Sequence, residues 1–356
     1  MLIWPEQRRQ LQFAKKLQKL HVPTTRVHSV SVHSISCGHF HNAVLDSDGL
    51  LYTFGKNNSG QLGHGTLKSI ATPQLVTHPL RAVPIASVAC GWLHTLCVTS
   101  AGQVYAWGCN GDGQLGTGDK WDRSWPIHVP TEFEPRQVAA GRLHSACVSA
   151  DRCLHTWGAN PDGRLFVEPV QIKHGKFKSQ RVPVKTELAG VQQVALGFSH
   201  TLVLDELGHV FAAGSTEHGQ LGIGQNCSAS MTCARCTDDA VQVACGDHFS
   251  CVLKTDGSVH SFGKGSMGRL GLGDEADQLA PVRVPLQDKV LQLSCGGRHC
   301  LALGESGEVY AWGYGFCNQL GTGKQEDRLL PVQLPLKGLR TATGVACGYL
   351  HSSLLI

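Results

Sequence analysis

The stretch "GWLHTLCVTSAGQVYAWGCNGDGQLG", Gly91 to Gly116, holds two phrases that recur along the chain. The first, "G-x-x-H", places its glycine at Gly38, Gly91, Gly141, Gly197, Gly246, Gly296 and Gly348, at intervals of 49 to 56 residues. Its fourth position is His41, His94, His144, His200, His299 and His351. Phe249 takes that position in the fifth copy, with His248 one place early. The second phrase follows six of the anchors, among them "GLLYTFGKNNSGQLG" from Gly49, "GHVFAAGSTEHGQLG" from Gly208 and "GEVYAWGYGFCNQLG" from Gly307. A period near 50 residues marks an array in which each unit buries its apolar faces only against its neighbours.

Each unit reads as about four short strands. The first ends in a small residue before the anchor glycine: Cys37, Cys90, Cys245, Cys295 and Cys347, with Ala140 and Leu196 as variants. Inner strands crowded around one axis need small side chains, so these five cysteines require no redox chemistry. The second strand ends in a turn carrying Gly49, Gly102, Gly208, Gly257 or Gly307, where positive φ costs glycine little. The third ("VYAW", "VHSF") suits a sheet packed between two others. The leucine of "GQLG" is expected to plug the seam between units, worth about 1.5–3 kcal/mol when fully buried.

After "GYLHSSLLI" (Gly348 to Ile356) the sequence stops in mid-unit. The other half is expected at the opposite end. Trp4 lies nineteen residues before Pro23 and 34 before Gly38, the intervals that separate Trp107 from Pro126 and from Gly141. Residues 1–36 therefore read as a degenerate half blade that completes the blade begun at 340–356. The expected fold is all-β: one domain over residues 1–356, a seven-bladed β-propeller whose ring closes by pairing N- and C-terminal strands in one blade. Closure removes the sheet edges that invite aggregation.

Composition narrows the function. The 356 residues carry 31 basic and 27 acidic side chains, and a net charge of +4 without long like-charge runs does not suggest a nucleic-acid binder. No apolar run approaches the roughly 18 residues of a membrane span. Fifteen cysteines without a secretory segment suggest reduced thiols and an intracellular protein of the cytoplasm or nucleus. The basic segment Arg8–Lys19 also fits an organellar presequence, a reading its place in the half blade disfavours. No nucleophile–base pair, phosphate loop or carboxylate pair stands out, so neither an enzyme nor a cofactor is expected. The repeat histidines, some 50 residues apart, are expected to hydrogen-bond neighbouring loop backbone rather than bind metal. Cys227, Cys233 and Cys236 lack an evident fourth zinc ligand.

The repeat closely resembles the regulator of chromosome condensation family, on the strength of "G-x-V-Y-x-W-G-x-N-x-x-G-Q-L-G" and the anchors over almost the whole chain. The repeat length, and the absence of a "GH…WD" pattern, set it apart from WD-repeat propellers. The resemblance implies a seven-bladed propeller closed by strands from both termini. It also implies an exchange activity to be tested against the residues, because the family's best-known member is a guanine nucleotide exchange factor for the Ran GTPase. That member uses aspartates in its second and third anchor loops and a protruding wedge. Here those loops read "GWLHT" and "GRLHS", with Trp92 and Arg142 and no acid, and the turn "WGCNGDGQLG" has ordinary length. His41 and His351 match histidines on the exchange face. A plant photoreceptor of the family needs tryptophans in adjacent "GWRHT" anchors, and only one anchor here has tryptophan.

Two readings follow: a non-enzymatic binding platform or regulatory subunit of a larger assembly, and an exchange factor or regulator of a Ran-like small GTPase. Either has protein partners and no membrane. The candidate contacts are Trp92 and Arg142 in the anchor loops and Trp121 and Trp125 in "GDKWDRSWP". Lys173, Lys176, Lys178, Arg181 and Lys185 join them from an enlarged segment between Phe166 and Leu188, where the repeat is expected to lose its "GQLG" turn.

Overall fold

The computed structural model describes residues 2–4, 32–171, 177–224, 234–336 and 341–356. Six sheets have four antiparallel strands, each in chain order from one edge to the other. The second blade is representative. Its strands are Ile85–Cys90, His94–Thr99, Val104–Gly108 and Arg123–Val129. The others open at Val32–Cys37, Pro135–Ala140, Val191–Leu196, Ala240–Cys245 and Val290–Cys295. The second strand of each, such as His94–Thr99, is buried along nearly its whole length, as a strand flanked by sheets on both faces must be.

Where the sequence predicts a seventh complete blade, the described residues form a three-stranded sheet. Leu2–Trp4 pairs with Ser352–Leu355, which pairs with Gly344–Cys347. Trp4 stands opposite Ser352, the register in which Trp107 stands opposite Thr95 and Trp312 opposite Cys300. The Tyr349 N–H donates to the carbonyl of Gly38 at 3.2 Å, as the His39 N–H donates to Gly91 at 3.2 Å.

The core lies between blades rather than within them. Leu96, Val98 and Ala106 of the second blade cluster with Val138, Cys147 and Trp157 of the third, and Leu115 of "GQLG" is fully buried among them. Leu320 does the same against Val345 and Leu354. At roughly 1.5–3 kcal/mol per buried leucine, these plugs bind each blade to the next. The turn glycines adopt the expected conformation (Gly102, φ 71°), and in the third unit Arg152 accepts φ 59° in glycine's place. The enlarged segment keeps more of the repeat than the sequence suggested. Leu165 N–H still donates to Asn160 Oδ1 at 3.1 Å and the Thr156 hydroxyl to the Leu165 carbonyl at 2.7 Å, so the turn survives with Arg164 in place of glutamine. Among the described residues no helix is long and apolar enough to cross a membrane.

Candidate functional site

The anchor glycines are explained by sterics, not by φ. A Cβ on Gly38 would collide with the His41 ring and with the carbonyl of Gly91, and Gly91, Gly141, Gly197, Gly296 and Gly348 meet the same obstacles. Each glycine thus lets its histidine fold under the anchor loop. Besides the backbone of the next unit's anchor loop, which His41, His144, His200 and His299 meet as expected, each histidine also meets a side chain of that unit. His41 Nε2 lies 2.9 Å from the Thr95 hydroxyl, His94 3.0 Å from Ser145, His144 3.1 Å from Thr201 and His200 2.9 Å from Ser250. His299 reaches Ser352 at 2.8 Å, and His351 reaches Asn42 Oδ1 at 2.8 Å.

The hydroxyls carry the chain onward. Thr95 donates to the Gln61 carbonyl at 2.8 Å, an oxygen that also accepts the Trp107 indole N–H at 2.8 Å. Its proton being used, Thr95 must accept from His41, which fixes the Nε2–H tautomer. Burial holds His41, His94, His200 and His299 down to about 3, and His351 to about 4. These are neutral structural donors.

Above this layer the anchor loops converge on the axis. One half-buried side chain from the position after each glycine rims a central cavity of about 210 Å³: His39, Trp92, Arg142, Phe198, Asp247 and Tyr349, with Gly297 completing the set. Cys37, Cys90, Cys245, Cys295 and Cys347 line its wall, as their crowding near the axis requires. Burial raises the Cys37 and Cys347 thiols to about 12, so they are inert.

The structure brings Trp92 and Arg142 together. The Arg142 guanidinium sits 4.1 Å from the Trp92 ring and 3.7 Å from the Phe198 ring, a double cation–π clamp. Arg164 donates to the Phe198 carbonyl at 3.0 Å and so steadies one jaw. Arg142 Nε has no hydrogen-bond partner, and no carboxylate among the described residues lies within 4.0 Å of the group. Asp247 is the one acid of the rim. Burial raises its carboxyl to about 6, against the pull of Arg269, Arg298 and Arg142. The sequence reading missed Phe198, Asp247, Tyr349 and His39. Their signal was available, since the residue after each anchor glycine varies freely while the glycine does not.

The other candidates lie elsewhere. Trp121 is 74% exposed at the rim of the second blade. Trp125 is 42% exposed, covers Gly65 and meets His78 edge-on at 5.1 Å, so much of it serves the seam. Lys178, Arg181 and Lys185 are exposed, the last two on the outer strand Gln180–Lys185 of the third blade. Lys173, Lys176, Cys227 and Cys233 lie outside the described residues, as does the Arg8–Lys19 segment.

Fold and rim together define an all-β propeller built from one repeat, with the variable side chains of its anchor loops gathered around one central cavity. The chain belongs to the RCC1-like domain family, whose model matches residues 5–354. It is 34% identical over 266 residues to the ultraviolet-B receptor UVR8 of Arabidopsis thaliana, covering 73% of this chain and 59% of the receptor. It is 36% identical over 261 residues to the human probable E3 ubiquitin-protein ligase HERC3, covering 72% of this chain and 20% of that protein. The chain thus matches less than two thirds of either relative's length. Among solved structures, yeast RCC1 (Prp20) bound to Kap60 superposes with a TM-score of 0.80 at 22% identity, over 90% of this chain and 79% of that one. Human WBSCR16 gives 0.78 at 24%, over 92% and 86%. These likenesses establish the fold.

Proposed function

We propose that the chain is a non-enzymatic protein-interaction platform: a seven-bladed ring, closed in one sheet by strands from both ends, that receives an acidic segment of a partner protein at the channel mouth. One observation carries this reading. Arg142 is stacked between Trp92 and Phe198 at a concave rim, with no carboxylate among the described residues against it and its buried Nε without a hydrogen-bond partner. A guanidinium pre-organised between two rings loses little freedom on meeting a carboxylate, which is where affinity is gained. The exposed Lys178, Arg181 and Lys185 add positive charge on the third blade.

The test is affinity capture with the purified chain and three variants. Arg142→Ala should lose the partners that wild type retains, Arg142→Lys should lose most of them because lysine cannot stack as a plane, and Asp247→Asn should retain them more strongly. Equal recovery by Arg142→Ala would remove the rim from the binding surface. Nucleotide exchange on a Ran-like small GTPase is the alternative. The geometry favours it less, because His41 and His351 are buried and engaged by Thr95 and Asn42, and the rim acid stands in the fifth loop rather than the second and third. A GTPase captured only in its nucleotide-free form would reverse that preference.

A further inference from the structure

The seam between the fifth and sixth blades departs from the rest. Phe249 replaces the anchor histidine, and Cys300 replaces the hydroxyl or amide found at Asn42, Thr95, Ser145, Thr201, Ser250 and Ser352. Without an imidazole to donate, no hydroxyl is needed at Cys300. That explains the loss of serine or threonine, but not why sulfur gathers there. Cys300 Sγ lies 3.5 Å from Cys295 Sγ and 3.9 Å from Cys251 Sγ, and all three sulfurs fall within 4.8 Å of one another. At the position of Cys251 the other units carry Ala43, Leu96, Ala146, Leu202, Leu301 and Ser353, so packing alone does not call for a thiol.

We propose that Cys251, Cys295 and Cys300 form a three-thiolate site for a soft monovalent cation of the copper(I) type. A metal bonded to sulfur at about 2.3 Å in a trigonal plane sets its sulfurs about 4.0 Å apart, close to the spacings here. Thiolate donors select copper(I), zinc or iron–sulfur centres. Structural zinc takes four ligands, and among the described residues the cluster offers three. Cys251 and Cys300 are buried, while half-buried Cys295 lies on the channel wall, which gives an ion its way in. Binding replaces S–H by S–metal bonds and releases up to one proton per sulfur, so affinity rises with pH.

The repeat supplies variants with a precedent for folding: Cys251→Leu restores the residue of the second, fourth and sixth units, and Cys300→Ser that of the third, fifth and seventh. The experiment titrates the reduced full chain anaerobically with copper(I) held by a chromogenic chelator. Wild type should withdraw one equivalent with proton release and a raised melting temperature. Each variant should lose more than the roughly 10–100-fold in affinity that removing an outer-shell partner costs. Cys90→Ala, in the second unit across the cavity from this seam, should bind as wild type. Withdrawal that ignores Cys251→Leu and Cys300→Ser would overturn the site, as would no withdrawal at all. Variant-dependent binding of zinc(II) without copper(I) would overturn the cation assignment. A Cys295–Cys300 disulfide that forms in air regardless of Cys251→Leu would assign the pair to oxidation instead.

Discussion

His41 and Thr95 show what one residue contributes. The histidine's donor and the hydroxyl's acceptor meet across a blade seam with both groups fully buried, so removing either leaves the other stranded. His41→Ala and Thr95→Val should each cost about 1–3 kcal/mol in chemical denaturation. The double variant should cost clearly less than their sum, because partners in one bond are coupled. Additive losses would break the assignment of the pair. The histidines were legible in the sequence as structural because their spacing defeats metal chelation. Their partners were not, since five lie 50 to 57 residues away and that of His351 lies 309 away, and nothing local announces them. The clue was statistical and internal: the residue after the fourth anchor position is Thr95, Ser145, Thr201, Ser250 or Ser352 in five units, a small hydroxyl where a strand alone would accept any side chain.

At the scale of elements, the strands and their turns were readable because one pattern is written repeatedly and each copy checks the others. The third unit was harder. Its "DGRLF" lost the glutamine and final glycine of "GQLG", yet the turn depends on Asn160 and Leu165, both present, while Arg164 takes over and Phe166 adopts φ 56°. A turn is thus specified by the groups that close its hydrogen bonds more than by its most frequent letters. The outer strand that follows, Gln180–Lys185, is the edge of its sheet and carries Arg181 and Lys185 into solvent, with Lys178 just before it. Edge charges of this kind block strand addition by other chains as well as attracting acidic ones. Replacing Lys178, Arg181 and Lys185 with glutamate should shift stability by under about 0.5 kcal/mol. If this edge assists docking, association with an acidic partner should slow, and the wild-type rate should fall with salt, since exposed charges are screened beyond about 8–10 Å. An unchanged association rate would leave the edge with its protective role alone.

For the whole molecule, Trp4 was placeable from intervals alone, and its pairing with Ser352 shows why: a backbone register survives even where the motif around it has decayed. The channel rim was less legible, because neighbours on it come from loops about 50 residues apart and their contacts follow from the ring's curvature. The six buried histidines have a consequence for the molecule as a whole. Each is held far below its unfolded value near 6.5, so its stabilising effect is complete above that pH and drains away as pH falls toward about 3 or 4. His144 is lowered in the same direction. Asp247, raised to about 6, runs the other way but is one group against six. One pH unit below 6.5, each histidine forfeits on the order of 1 kcal/mol, so the losses together are a sizeable share of the 5–15 kcal/mol by which domains are usually stable. Circular dichroism should therefore find the fold lost near pH 5 to 5.5, and a chain still native at pH 4 would contradict the buried neutral donors. Because several protons enter together, the transition should be steeper in pH than the titration of a single histidine. Repetition, which here looks like an economy of sequence, would then act as an amplifier, turning a weak base into a sharp acid fuse.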